Sequence, residues 1–231
     1  MNKKLWILVA GALAASVIAA TAQEVLSANA VGYIKKTLPA NGGLVAMGIP
    51  LDPMDEADVV FGNSSVAEEA PVGSMVYFWD AGAQNWLPGS KTSKGWGAFA
   101  TRVVQAGEGF FLQGNPSDAT DRDVTITGEV PPIAQLSRAI PGGGALGTVA
   151  NPYPVDFVFG DSDLAVNASV GSMVYFWDVA SQNWLPGSKT SKGWGAFATR
   201  QVLAGDGFFL QETGAGSTWD AARPYTWPAV D

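Results

Sequence analysis

Hydrophobic positions along this chain of 231 residues fall in short runs and not in helical periods. Residues 75–79 read MVYFW, a β-branched and aromatic run that stops at Asp80. AGAQN follows, then Trp86-Leu87-Pro88-Gly89, so the segment predicts strand, turn, strand. Gly95 to Ala100 (GWGAFA) and Gly109 to Gln113 (GFFLQ) predict two more short strands between glycine-containing turns. In residues 124–130, Val124, Ile126 and Val130 take one face and Thr125, Thr127 and Glu129 the other, the alternation of a half-buried strand. Leu26, Ala28, Ala30, Gly32 and Ile34 alternate in the same way. After the first 22 residues, no window longer than about ten keeps a 3.6-residue apolar period with helix caps. The expected fold class is all-β.

One long apolar run stands apart. Lys3 and Lys4 precede LWILVAGALAASVIAA and the triplet Ala20-Thr21-Ala22, the three regions of a secretory signal peptide, so the mature chain is expected to begin at Gln23. The product is then secreted, extracellular, and without a membrane contact once residues 1–22 are removed.

A repeat organises the remainder. Residues 72–115 and 170–213 match at 36 of 44 positions with a constant offset of 98, and QNWLPGSKTSKGWGAFATR is identical in both. Upstream the offset becomes 102, with Leu38-Pro39 and Leu44 answering Ile140-Pro141 and Leu146, so the first copy carries a longer loop around Asp52 to Ala57. The expectation is two tandem antiparallel β-sandwich, immunoglobulin-like domains, residues 37–131 and 132–231, joined near Pro131-Pro132 and preceded by a free N-terminal strand, residues 23–36.

Composition narrows the chemistry. The chain has no Cys and no His, which excludes disulfide frameworks, Cys/His metal sites, and catalysis that needs an imidazole. Formal charge is -8, and -10 once Lys3 and Lys4 are gone, so nucleic acid is not an expected partner. No cofactor and no metal are expected.

The two copies differ at their ends. Residues 124–130 form the last strand of the first copy, while the extended segment at the mature N-terminus has no preceding domain. The second copy ends in GAGSTWDAARPYTWPAVD, where Pro224 and Pro228 bracket three residues and make a poor terminal strand. A surplus strand and a defective edge are complementary. The expected contact is donor-strand addition to a neighbouring molecule by residues 25–34, with Val25, Leu26, Ala28, Ala30, Val31, Gly32, Tyr33 and Ile34 as assembly residues. That contact is head-to-tail and builds an open filament.

Other residues invite chemistry. Trp79, Trp86 and Trp96, with their copies Trp177, Trp184 and Trp194, either stack on sugars as glycan contacts or pack in cores and hairpins. Asp80, Asp178, Glu108 and Asp206 are acidic in both copies and offer the carboxylates of a glycosidase, or ordinary turn residues. SKTSK at 90–94 and 188–192 makes a basic loop tip, solvated or directed to the acidic loop Asp52 to Asp58 of another protomer. Asp118, Asp121 and Asp123 lack the glycine and terminal Glu of a calcium loop. Asn63 and Asn167 fit the N-x-S/T glycosylation pattern.

The opening LSANAVGYIKKTLPANGGLVAM resembles that of secreted tandem-repeat proteins of environmental bacteria with a SANAVGY motif after the signal peptide. It is also similar to fibril-forming secreted proteins in which an N-terminal strand and two β-sandwiches assemble by strand donation. The resemblance implies an extracellular fibre protomer with its donor strand on Val25 to Ile34. The expected function is therefore a non-enzymatic structural protein whose partner is itself. An extracellular carbohydrate-binding or adhesion module with two near-identical aromatic sites is the alternative.

Overall fold

The run MVYFW is apolar on both faces because both faces are covered. In the computed structural model, which describes residues 30–53 and 58–226, Val76 and Phe78 are fully buried while Tyr77 and Trp79 are half-buried on the opposite side. They lie on β3 (Met75–Asp80), which pairs with β4 (Asn85–Ser90) and β5 (Phe110–Gln113). With β2 (Leu44–Met47) they form a four-stranded antiparallel sheet ordered β2-β5-β3-β4. A separate ribbon pairs β1 (Val31–Leu38) with β6 (Arg122–Glu129).

The second copy repeats the plan. β8 (Leu146–Ala150), β10 (Met173–Asp178), β11 (Asn183–Ser188) and β13 (Gly207–Gln211) form a sheet ordered β11-β10-β13-β8. β7 (Gln135–Ile140) pairs with β14 (Ser217–Ala222) in a ribbon, and the short β9 (Phe157–Val158) pairs with β12 (Gln201–Val202). Every pairing is antiparallel. Strands hold 42% of the residues and helices 15%, so the all-β expectation is met.

Each half encloses its own core between sheet and ribbon. Phe61 sits at the centre of the first, fully buried and edge-on to Phe78, Trp96 and Phe110 at 5.4, 5.0 and 5.7 Å. Phe159 does the same in the second against Phe176, Trp194 and Phe208. Ribbon residues Leu38, Val124 and Ile126 close the first core; Ile140, Trp219 and Ala221 close the second. Trp219 stands where the first half has Val124, so the larger indole fills the position next to Phe157.

Two expectations about local structure are corrected. GWGAFA is not a strand: Gly95 and Gly97 adopt φ of 95° and 57°, and a 3-10 turn runs over Gly97–Thr101. Two helices escaped the periodicity because they are only five residues long, α1 (Ser65–Glu69) and α2 (Asp163–Asn167). Ser64 and Ser162 cap them by accepting from the amides of Ala67 and Ala165. At the other end, Lys91 Nζ donates to the carbonyls of Ala67, Glu68 and Ala70 at 2.7–2.8 Å, and Lys189 to those of Ala165, Val166 and Ala168. The first lysine of each SKTSK segment is thus a helix clamp and not a solvated tip. Lys189→Met should lower the unfolding free energy in urea by about 1–2 kcal/mol, and Lys192→Met on the exposed side of the same loop by less than about 0.5 kcal/mol.

The N-terminal strand is also corrected. It is not free: β1 pairs over its whole length with β6 of its own half, Gly32 opposite Gly128 and Ile34 opposite Ile126, and Ile34 packs on the first core. Its counterpart in the second half is β7, not the strand of residues 124–130, which corresponds to β14. The C-terminal segment likewise completes its own half, because β14 ends at Ala222, before Pro224. Surplus and deficit both disappear within one chain. Residues 1–22, Val25, Leu26 and Ala28 lie outside the described residues, as do residues 54–57 of the acidic loop. Among the described residues no helix is long and apolar enough to cross a membrane.

Candidate functional site: an aromatic seam between the halves

The second face of each four-stranded sheet is covered by the other half. Phe111, 5% exposed, projects from β5 and meets the rings of Trp177 and Trp184 at 5.0 and 5.4 Å. Phe209, 4% exposed, projects from β13 and meets Trp79 and Trp86 at 5.2 and 5.4 Å. Within each hairpin the cross-strand pair Trp79–Trp86, or Trp177–Trp184, packs edge-on at 5.0 Å. Phe111 also touches Trp86, and Phe209 touches Trp184, so the rings form one continuous cluster.

Polar contacts obey the same reciprocity. Trp79 Nε1 donates to the carbonyl of Leu146 at 2.8 Å, and Trp177 Nε1 to that of Leu44 at 2.9 Å. Gln84 accepts from the Leu146 amide and donates to its carbonyl at 2.8 and 3.0 Å; Gln182 does so at Leu44 at 2.7 and 3.1 Å. Leu44 and Leu146 lie on β2 and β8, the edge strands of their sheets, so each glutamine satisfies an edge that would otherwise be open. Both glutamines hold φ at 52°, a conformation costing an L-residue about 1–2 kcal/mol, which the contact with the opposite half offsets.

Backbone approaches backbone near the centre. The Gly48 amide donates to the Gly205 carbonyl at 3.1 Å, and the Ala150 amide to that of Gly107 at 2.8 Å. Gly109 and Gly207 permit this approach, since a side chain at either would come within 2.7–2.8 Å of backbone atoms of Val149 or Met47. Lys36 on β1, its side chain 10% exposed, bridges to Asp206 at 2.6 Å. Its counterpart Arg138 is half-buried, and the loss of solvent lowers its pKa, while the charge of Glu108 acts in the opposite direction. The halves are related by a pseudo-two-fold arrangement in which each residue of the seam has its copy across it.

Leu44, Tyr77, Trp86, Phe111, Trp177 and Trp184 line a cleft of about 300 Å³ where the seam meets solvent. Tyr77 donates to Gln113 Oε1 at 2.8 Å, and burial raises its pKa. Among the described residues no charged side chain lines this cleft.

The sequence candidates are distributed unevenly. Trp79, Trp86, Trp177 and Trp184 come together in the seam, as one cluster and not as two separate sites. Trp96 and Trp194 do not join them: they are 4% and 5% exposed, with their indole N–H groups given to Ala67 and Ala165, so neither can meet a glycan. The duplicated carboxylates serve turns and ion pairs. Asp80 accepts from the amides of Gly82 and Ala83, and Asp178 from Ser181 Oγ at 2.6 Å, a bond that lowers the Asp178 pKa. Glu108 binds Arg102 at 2.7 Å, and Asp206 binds Lys36. Asp121 caps the Ala40 amide, while Asp123 faces Lys35 and Thr37, whose bonds lower its pKa. Among the described residues no three groups are gathered as metal ligands. Asn63 and Asn167 are exposed, each the last residue of a helical turn. Ala30 accepts from the Val130 amide, and Val31 to Ile34 lie in β1.

Sequence reasoning missed Gln84, Gln182, Leu44, Leu146 and Lys36. The identity of QNW in both copies was the available signal, since a glutamine repeated where a hairpin favours glycine points to a role for its side chain. Comparison of the chain with protein-family models, with curated proteins and with solved structures finds no match.

Proposed function

We propose that this chain is a secreted, non-enzymatic structural protein that associates with further copies of itself through the free edge of β1. One observation carries the reading. In the β1–β6 ribbon the bond from the Val130 amide to Ala30 sets the register, so the backbone groups of Val31, Tyr33, Lys35 and Thr37 point away from β6. None of these groups has a partner among the described residues. The same strand exposes two apolar side chains, Val31 at 60% and Tyr33 at 80%. The opposite edge of the ribbon is treated differently: Glu69 and Ser65 of α1 accept from the amides of Thr125 and Thr127. An eight-residue edge left open beside exposed apolar groups is a template for another strand.

The contact differs from groove completion by a donated strand, because β1 already serves its own half. Edge addition keeps that pairing and adds a strand outside it. The second half offers β7, whose outward groups at Gln135, Ser137 and Ala139 are also unpaired among the described residues. β1 against β7 of the next molecule is head-to-tail and continues into a filament, in which the two halves remain tandem sandwich domains of immunoglobulin-like layering. The test is negative-stain microscopy and sedimentation of the chain from Gln23 onward, beside a Val31→Lys, Tyr33→Lys variant. Filaments from the parent and a monomer from the variant are expected. A parent that stays monomeric at every concentration, or a variant that still polymerises, overturns the reading.

A further inference from the structure

The cleft at the seam goes beyond self-association. Of the six repeated tryptophans, four give their indole N–H to carbonyls: Trp79, Trp96, Trp177 and Trp194. Trp86 and Trp184 do not. Their N–H groups have no partner among the described residues and are not among its buried polar atoms, so they remain available to solvent or ligand. Both rings line the cleft and both are fixed in place. Trp86 is held by Trp79, Phe111 and Phe209, and Trp184 by Trp177, Phe111 and Phe209, all at 5.0–5.4 Å.

We infer that this cleft binds an uncharged saccharide, with a pyranose ring against the indole faces and its hydroxyls accepting from Trp86 and Trp184 Nε1. Three properties select that class. The lining is apolar and aromatic, which suits the C–H face of a sugar ring. Both cleft-lining indoles keep an N–H with no partner among the described residues, which a purely hydrocarbon ligand would leave unused. Among the described residues no charged side chain lines the cleft, which disfavours phosphates, uronates and amines. Its volume of about 300 Å³ falls at the small end of ligand sites, enough for a short stretch of a chain that continues into solvent. Both halves contribute, Leu44, Tyr77, Trp86 and Phe111 from the first and Trp177 and Trp184 from the second, so the site exists only while the seam is closed.

The experiment is titration of the full chain with cellohexaose, xylohexaose, laminarihexaose and chitohexaose, read by tryptophan emission. At least one is expected to shift the emission saturably. Trp184→Phe keeps an aromatic ring in the seam but removes the N–H together with the five-membered ring of the indole, and should weaken that binding about tenfold. Trp86→Phe should do the same, while Trp194→Phe, in the second core, should leave affinity unchanged; far-ultraviolet circular dichroism establishes that each variant is folded. No response to any of the four sugars at about 10 mM overturns the inference. So does binding that is equally strong in Trp184→Phe and Trp86→Phe.

Discussion

Replacing Phe61 with alanine is expected to lower the unfolding free energy by about 4 kcal/mol. The ring is wholly buried and touches three other aromatic rings from three different segments: Phe78 on β3, Trp96 before the 3-10 turn, and Phe110 on β5. None of these can follow the vacated space. Phe78 is stacked on Phe99 at 5.7 Å and lies under the Arg102 guanidinium at 4.1 Å, while Trp96 is tied by its N–H to Ala67. A cavity therefore persists, and its cost adds to the lost transfer energy. Phe159→Ala should cost the same, since its neighbours are copies of these. Urea denaturation followed by circular dichroism measures both. A loss below about 1 kcal/mol in either would mean that the core collapses around the gap and that the rings are not a rigid set.

The second large effect concerns the coupling of the halves. Phe111→Ala should cost about 3 kcal/mol, somewhat less than Phe61→Ala because the cleft admits solvent near its site. Its distinctive consequence is the shape of the transition. With the seam intact, the reciprocal tryptophan and glutamine bonds and the shared ring cluster should make both halves unfold together. Phe111 touches three of the four seam tryptophans, so its removal loosens Trp86, Trp177 and Trp184 at once. Calorimetry of Phe111→Ala should show two transitions where the parent shows one. A parent that already melts in two steps would show that the seam holds the halves side by side without coupling them.

Much of the architecture was legible in the chain itself. The offset of 98 located equivalent strands, and the β-branched and aromatic runs at 75–79 and 109–113 marked the central strands correctly. The alternation in 124–130 put Val124, Ile126 and Val130 on one face; the first two are buried, and Val130 packs against the core half-buried. What escaped is physical in origin. Five-residue helices are shorter than the period that would reveal them. A strand partner set by long-range pairing leaves no local mark, so β1 looked unpaired when its partner lay about ninety residues away. The seam was hidden for a different reason. Trp96 and Trp86 are both tryptophans in one identical block, yet one faces the core and the other faces the opposite half, and only the path of the chain between them decides which.

The duplicated seam has one further consequence. An interface of this reciprocal kind joins two copies of one surface, and between separate chains it would loosen on dilution. Here the short connection from Glu129 to Gln135 supplies each half with its partner at a fixed one-to-one ratio and at an effective concentration that, for short linkers, is on the order of millimolar. A chain released into an unbounded volume keeps its composite cleft however thinly it is spread. The fusion also frees the two copies to differ where the seam does not constrain them. β1 presents Val31 and Tyr33 where the second half has Ile133, before β7, and Gln135 at the start of that strand, so a molecule built on internal symmetry has acquired a polarity along its length.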